Sequence, residues 1–336
     1  MHQPVDSLAT PRFTGPRTFA RLPYVPTLDG VEAAVFGLPW DGGTSFRAGA
    51  RFGPEAIRSA SALLRPYNPD QRVQVFGAVS TIDHGDAPTV PGYIERTLPR
   101  LQDFVGSIAA AGVVSFGMGG DHSVTLAELR ALAAVHGPLG VVHLDAHSDL
   151  WDRYFDLPYN HGTVFRRAIE EGVVDPGRMV QAGLRGSLYA PEDEALAADL
   201  GLEAIPWREL AGLSPEAFAD RARARVGTGP CFFSFDVDLV DPAFCPGTGT
   251  PECGGPTSFQ ALELVRALHG IDFRGFDVVE VSPPYDGPGQ QTALLAATVL
   301  YEMLALHARG RADGSAADRR IAATGVGELD DVARRP

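Results

Sequence analysis

Leu139-Gly-Val-Val-His-Leu144 runs directly into Asp145-Ala146-His147-Ser148-Asp149. An apolar hexapeptide of this kind reads as a buried strand, and ligand-type side chains at alternating positions after it would all leave the strand end in one direction. Two further stretches repeat the pattern. Gly119-Gly120-Asp121-His122-Ser123 follows the apolar Val113–Phe116, and Asp236-Val237-Asp238-Leu239-Val240-Asp241-Pro242 follows Cys231-Phe-Phe-Ser-Phe235. Each alone is weak, since Gly-Gly-Asp-His fits a tight turn and short acidic turns are common. Together they point to a metal centre, because unpaired carboxylates at the ends of apolar strands are costly to bury without a cation. The carboxylates of Asp145, Asp149, Asp236 and Asp238 with the imidazoles of His122 and His147 exceed the donor set of a structural zinc site. They suffice for two octahedral-leaning cations if some carboxylates bridge. The chain therefore reads as a two-metal hydrolase.

Outward from these stretches, strand-like and helix-like segments alternate. Val31–Leu38 is a short apolar strand, and Gly53-Pro54-Glu55 opens a helix with proline at its favoured first position. Helix-like Tyr93–Ala111 and Val124–Val135 precede strands at Val113–Phe116 and Leu139–Leu144. Later pairs are His161–Glu171 with Met179–Gly183, Pro215–Val226 with Cys231–Phe235, and Ser258–Leu268 with Gly275–Val281, before a closing helix near Thr292–His307. This alternation predicts an α/β fold with a mostly parallel sheet and helices on both faces, with ligands at the carboxyl ends of the strands. No linker, charge block or repeat divides the chain, so an irregular arm over 1–29 and a single domain over 30–336 are expected. Asp313–Asp318 reads as a surface loop.

Composition narrows the function further. The 336 residues are 45% apolar with 38 glycines, which suits a compact core with many turns. No run approaches the roughly 18 uncharged apolar residues of a membrane span, and Met1-His-Gln-Pro-Val-Asp6 lacks the features of a secretory signal. A cytoplasmic protein without a membrane partner is expected. Cys231, Cys245 and Cys253 form no Cys-x-x-Cys pair, so neither a disulfide framework nor a zinc knuckle is indicated. A formal net charge of −14 argues against nucleic acid and suits cationic substrates.

Gly-Gly-Asp-His-Ser, Asp-Ala-His-Ser-Asp, His161-Gly-Thr and Ser-Phe-Asp-Val-Asp-Leu-Val-Asp-Pro resemble the motifs of the ureohydrolase family of arginases and agmatinases. The resemblance extends from about Arg21 onward and includes Gly49-Ala-Arg-Phe-Gly-Pro54, Pro246-Gly-Thr-Gly-Thr-Pro251 and Val279-Glu-Val-Ser-Pro283. It implies an arginase-like three-layer α/β/α fold, two Mn²⁺ per subunit, and hydrolysis of a guanidino group to an amine and urea. It also implies a homo-oligomer, either trimer or hexamer. By position, it implies His122, Asp145, Asp149 and Asp236 as ligands of one metal and Asp145, His147, Asp236 and Asp238 as ligands of the other. Asp145 and Asp236 would bridge. Two such cations roughly 3.5–4 Å apart can share one water and lower its pKa. Oxygen-rich ligation suits Mn²⁺, while the affinity order of divalent metals keeps Ni²⁺ and Co²⁺ as alternatives.

A planar, cationic guanidinium needs a carboxylate to orient it and a proton donor for the departing amine. The resemblance implies Glu280 for the first role and His161 for the second. From the residues alone, Glu280 reads equally as a structural ion-pair partner and His161 as a satisfied structural histidine. Asp121, Ser123 and Asp241 suit roles that orient ligands, and each also fits a turn cap.

Leu63-Leu-Arg-Pro-Tyr-Asn68 and Tyr159-Asn-His-Gly-Thr-Val-Phe165 look closer to agmatinases than to arginases, which makes agmatine, cleaved to putrescine and urea, the leading expectation. The loop after Asp149 departs from that pattern: Leu150-Trp151-Asp152-Arg153-Tyr154 replaces a small polar residue. Trp151 either closes the cleft over substrate or anchors the loop. Arg153 either pairs with a substrate carboxylate or sits on the surface, and Asn160 is a further candidate contact. The alternatives are 4-guanidinobutyrate, 3-guanidinopropionate, a proclavaminate-type substrate and free guanidine. A catalytically silent subunit of a hetero-oligomer is the reading of a different class. It predicts erosion of the metal set, and none is visible.

Overall fold

The computed structural model describes residues 1–325. Along the chain it contains β1 (Ala33–Leu38), a ribbon of β2 (Tyr67–Asn68) and β3 (Val73–Gln74), β4 (Thr81–Asp86), β5 (Val114–Gly119), β6 (Leu139–Leu144), β7 (Val174–Leu184), β8 (Glu203–Pro206), β9 (Cys231–Asp236) and β10 (Phe273–Val279). Eight of these form one sheet in the order β4-β1-β5-β10-β9-β6-β7-β8. Every pairing within it is parallel.

A parallel sheet needs helices on both faces, because each crossover returns over one of them. Alternate strand residues enter separate cores. Val35, Val142 and Phe233 pack with Ile57 and Leu300 on one side, while Phe36, Val141 and Phe232 pack with Leu101, Leu129 and Phe165 on the other. The first face carries helices Gly53–Ser61, Pro215–Val226, Ser258–Ala267 and Gln291–Gly325, and the second carries Ile94–Ala110, Thr125–His136 and Val164–Glu170. The result is the three-layer α/β/α sandwich expected. Local signals set several helix starts: Ser214 Oγ accepts the Ala217 N–H at 3.1 Å, and Thr257 forms a capping box with Gln260. No helix among the described residues is long and apolar enough to cross a membrane.

Two edge strands escape the sequence pattern. Thr81–Asp86 is mostly polar and Glu203–Pro206 is short, and edge strands carry less of the continuous apolar signal of buried ones. Residues 313–318 also differ from expectation. They lie within the helix Gln291–Gly325, whose many alanines favour helix despite Gly310 and Gly314.

The N-terminal arm packs on the body. Phe19, Ala20 and Leu22 are buried, the Phe19 N–H donates to Asp83 Oδ2 at 2.7 Å, and Arg58 binds Asp83 at 2.8 Å and Asp86 at 2.6 Å. Arg58→Ala would leave Asp83 buried without its cation, at an expected cost of about 3–5 kcal/mol. Urea unfolding of the variant checks this, and a loss below about 1 kcal/mol would show that the ion pair is not holding this edge.

Candidate active site

The ends of β5, β6 and β9 make the same local move. Asp121 Oδ1 accepts the Ser123 N–H at 3.0 Å, Asp145 Oδ1 accepts the His147 N–H at 2.6 Å, and Asp236 Oδ1 accepts the Asp238 N–H at 2.8 Å. Each aspartate thereby ends its strand with a side chain-to-backbone turn. The ligand-type residues thus sit on turns rather than on a continuing strand alternation, and Asp149 adopts φ 53°. At Asp236 one oxygen closes the turn and the other remains for the site, whereas Asp145 Oδ1 both closes its turn and faces the His147 ring.

These turns converge because β5, β10, β9 and β6 are neighbours. His122 Nδ1 lies 3.2 Å from Asp145 Oδ2, 3.0 Å from Asp149 Oδ2 and 3.2 Å from Asp236 Oδ2. His147 Nδ1 lies 3.0 Å from Asp238 Oδ2 and 3.5 Å from Asp145 Oδ1. Asp145 therefore presents one oxygen to each histidine. His122 Nε2 faces Ser234 Oγ at 2.9 Å, and Ser234 in turn donates to Asp277 Oδ1 at 2.6 Å. With its proton on that side, the imidazole turns a lone pair toward three carboxylate oxygens, and this Nδ1 is buried without a hydrogen-bond partner. Such an arrangement is repulsive unless positive charge lies among the donors. Without metal, burial disfavours the charged ring, but the three carboxylates outweigh it and raise His122 well above its usual value, so that a proton fills the role. The same donors fit a metal ion.

Electrostatics agree. Burial, reinforced by the neighbouring carboxylates, raises Asp236 well above the usual range. Burial raises Asp238 to about 6, against the opposing pull of His147, and Asp121 to about 7, with Glu280 adding to the rise. For Asp145 burial also pushes upward, but His143, His122 and His147 outweigh it and hold the carboxyl well below its usual value. A cluster this short of positive charge favours cations over protons once metal is available.

All six sequence-predicted ligand side chains meet here. His143, which the sequence reading passed over, lies within the same cluster. Both its nitrogens are taken: Nε2 contacts Asp145 Oδ2 at 2.8 Å and Nδ1 faces the Gln181 amide at 3.0 Å. It therefore supports Asp145 from behind. His143, Gln181, Ser234 and Asp277 are isolated polar residues in apolar strands, and that was the available signal.

Glu280 stands at the end of β10 with φ 65°, a left-handed backbone that costs a non-glycine residue roughly 1–2 kcal/mol. Its Oε1 accepts the His122 N–H at 2.9 Å and contacts His161 Nδ1 at 3.0 Å. Its Oε2 is buried and unpartnered. Gly249 keeps that oxygen approachable, since a Cβ there would lie 3.3 Å from it and 3.1 Å from the Arg47 carbonyl. His161 Nε2 contacts Ser45 Oγ at 2.7 Å. Burial disfavours the charged imidazole, but Glu280 outweighs it and raises His161 to about 9.

A cavity of about 490 Å³ opens over these groups. Trp151 lines it and is fixed by Tyr154 and Tyr189, with ring centroids 5.6 and 5.5 Å away. The ring thus anchors its loop and forms part of the cavity wall. Arg153 is not among the residues lining this cavity; it is 62% exposed and bound to Asp152, the surface placement of the two expected for it. Asn160 Oδ1 caps the turn by accepting the Gly162 N–H at 3.2 Å, which makes it a support for His161 rather than part of the cavity wall. Asp241 holds the following loop through the Ala243 and Gly254 N–H groups.

Residues 31–305 match the model of the Arginase family. The chain is 50% identical over 311 residues to guanidinopropionase of Pseudomonas aeruginosa, covering 92% of this chain and 97% of that protein. It is 42% identical to the mitochondrial agmatinase of Gallus gallus, over 87% of this chain and 86% of that one. Among solved structures, proclavaminate amidino hydrolase from Streptomyces clavuligerus superposes with a TM-score of 0.86 at 42% identity, covering 90% of this chain and all of that one.

Proposed function

This chain belongs to the arginase family, and we propose that it hydrolyses the guanidino group of a small linear substrate to urea and an amine with two divalent cations. The observation that carries the reading is Asp145, one carboxylate offered to both His122 and His147. We assign His122, Asp145, Asp149 and Asp236 to one cation and Asp145, His147, Asp236 and Asp238 to the other. The oxygen-rich donors favour Mn²⁺, with Ni²⁺ and Co²⁺ as competitors. When bound, such a pair supplies the Lewis acidity that makes a water nucleophilic near neutral pH.

The chain's own residues do the rest. Glu280 Oε1 is fixed by His122 and His161, which leaves Oε2 to accept guanidinium N–H groups and hold the plane of the substrate. His161, raised to about 9, holds a proton at neutral pH that it can deliver from Nε2 to the departing nitrogen, with Ser45 Oγ as the alternative partner of that atom. The rings of Trp151, Tyr154 and Tyr189 give the cleft an aromatic wall.

The test is urea release by metal-stripped protein reloaded with Mn²⁺ or Ni²⁺, offered agmatine, 4-guanidinobutyrate, 3-guanidinopropionate, arginine and guanidine. Urea from at least one linear guanidino compound, and none without metal, is the expected result. No urea under either metal would overturn the reading and favour a catalytically silent subunit.

A further inference from the structure

Arg47 lines the same cavity as His147 and His161, and among the described residues its guanidinium has no hydrogen-bond or ion-pair partner. Its contacts are aromatic, with the ring centroids of Phe46 and Tyr285 5.3 and 5.1 Å away. Those rings are 72% and 40% exposed, so the charge stands at the cavity mouth with its in-plane donors free. The backbone ties it to the chemistry. Ser45, two residues earlier, contacts His161, and the Arg47 carbonyl sits beside Gly249, next to Glu280 Oε2.

Apart from Glu280 Oε2, which is unpartnered and assigned above to the guanidinium, the other charges near the cleft have partners. Glu252 Oε1 lies 3.9 Å from His147 Nε2. Asp149, Asp236 and Asp238 face the two histidines of the metal cluster. Arg185 donates to the carbonyls of Asp238 and Glu252. A substrate with an ammonium tail would thus bring a second cation to a wall whose unengaged charge is already positive. A carboxylate tail would meet a fork of donors that matches its two oxygens.

We propose that Arg47 binds the far end of the substrate and that this end is a carboxylate, so that short linear guanidino acids are preferred to agmatine. This rests on the guanidino-hydrolase reading above. Relatives named for a guanidino acid and for agmatine both match most of the chain, so the cavity itself has to distinguish the tails.

Steady-state urea release is compared for 3-guanidinopropionate, 4-guanidinobutyrate, agmatine and propylguanidine, whose tail is uncharged. The metal-loaded wild type, Arg47→Ala, Arg47→Lys and Arg47→Glu are assayed, with melting temperature and metal content recorded for each. The wild type should favour a guanidino acid over agmatine. Arg47→Ala should raise KM for the acids about 10- to 100-fold with kcat nearly kept, and leave propylguanidine unchanged. Arg47→Lys should recover part of the loss, and Arg47→Glu should shift preference toward agmatine. Equal losses on all substrates, or a wild type that prefers agmatine, would overturn the proposal while leaving the hydrolase reading intact. No urea from any of the four would instead remove the reading on which it rests.

Discussion

Asp236→Ala is expected to strip the protein of both cations and abolish urea release together. Asp236 Oδ2 faces His122 Nδ1 at 3.2 Å, and its other oxygen fixes the turn that presents Asp238. Its removal therefore takes a donor from one site and loosens the other. Loss of an outer partner of a metal ligand typically costs roughly 10- to 100-fold in affinity or activity, and loss of a shared ligand should exceed that. Elemental analysis of the purified variant, run beside a urea assay, makes the comparison. A variant that keeps two ions per chain and turns over would sink the assignment of Asp236 as a bridge.

Glu280→Gln is expected to separate substrate orientation from metal binding. Glu280 touches the His122 backbone and the His161 ring, not the metal-facing atoms, so metal content should be unchanged. The free Oε2 loses its charge, and the amide that replaces one oxygen can no longer accept at both positions. By analogy with the removal of one preorganised electrostatic partner, kcat/KM should fall by about 10²–10³ or more. Kinetics and metal content measured on one sample decide the matter. A fall of less than about threefold would return Glu280 to the status of a structural ion-pair residue.

The metal-facing residues were legible because each follows an apolar strand, where a carboxylate has no cheap structural excuse. Leu139–Leu144 and Cys231–Phe235 announce strands by composition alone, and the chain brings their ends together by parallel pairing. The tail end of the cleft was far less legible. Arg153, two residues after Trp151, reads from the sequence as either a tail partner or a surface residue, and no periodicity tells which side of an irregular loop a side chain will take. Arg47 lies about a hundred residues earlier in the chain, in a loop with neither strand nor helix pattern, and only the fold places it over the cleft. His143, Ser234 and Asp277 were readable in principle, since a lone polar residue inside a buried strand needs a partner. Apart from Asp145, two residues after His143, the partners lie on other strands or helices, which a one-dimensional reading does not supply.

The sheet order has a consequence for how the chain reaches this state. β10 is the last strand in sequence but lies between β5 and β9, so it closes a seam between two half-sheets. His122 lies on one side of that seam, and Asp145, Asp149, Asp236 and Asp238 lie on the other. A growing chain that has not yet delivered residues 273–279 holds two unpaired strand edges and a divided set of ligands. Such long-range closure belongs to the slow class of folding events. Pairing of this one central strand is therefore what joins the two half-sheets and brings His122 to the carboxylates of the other side.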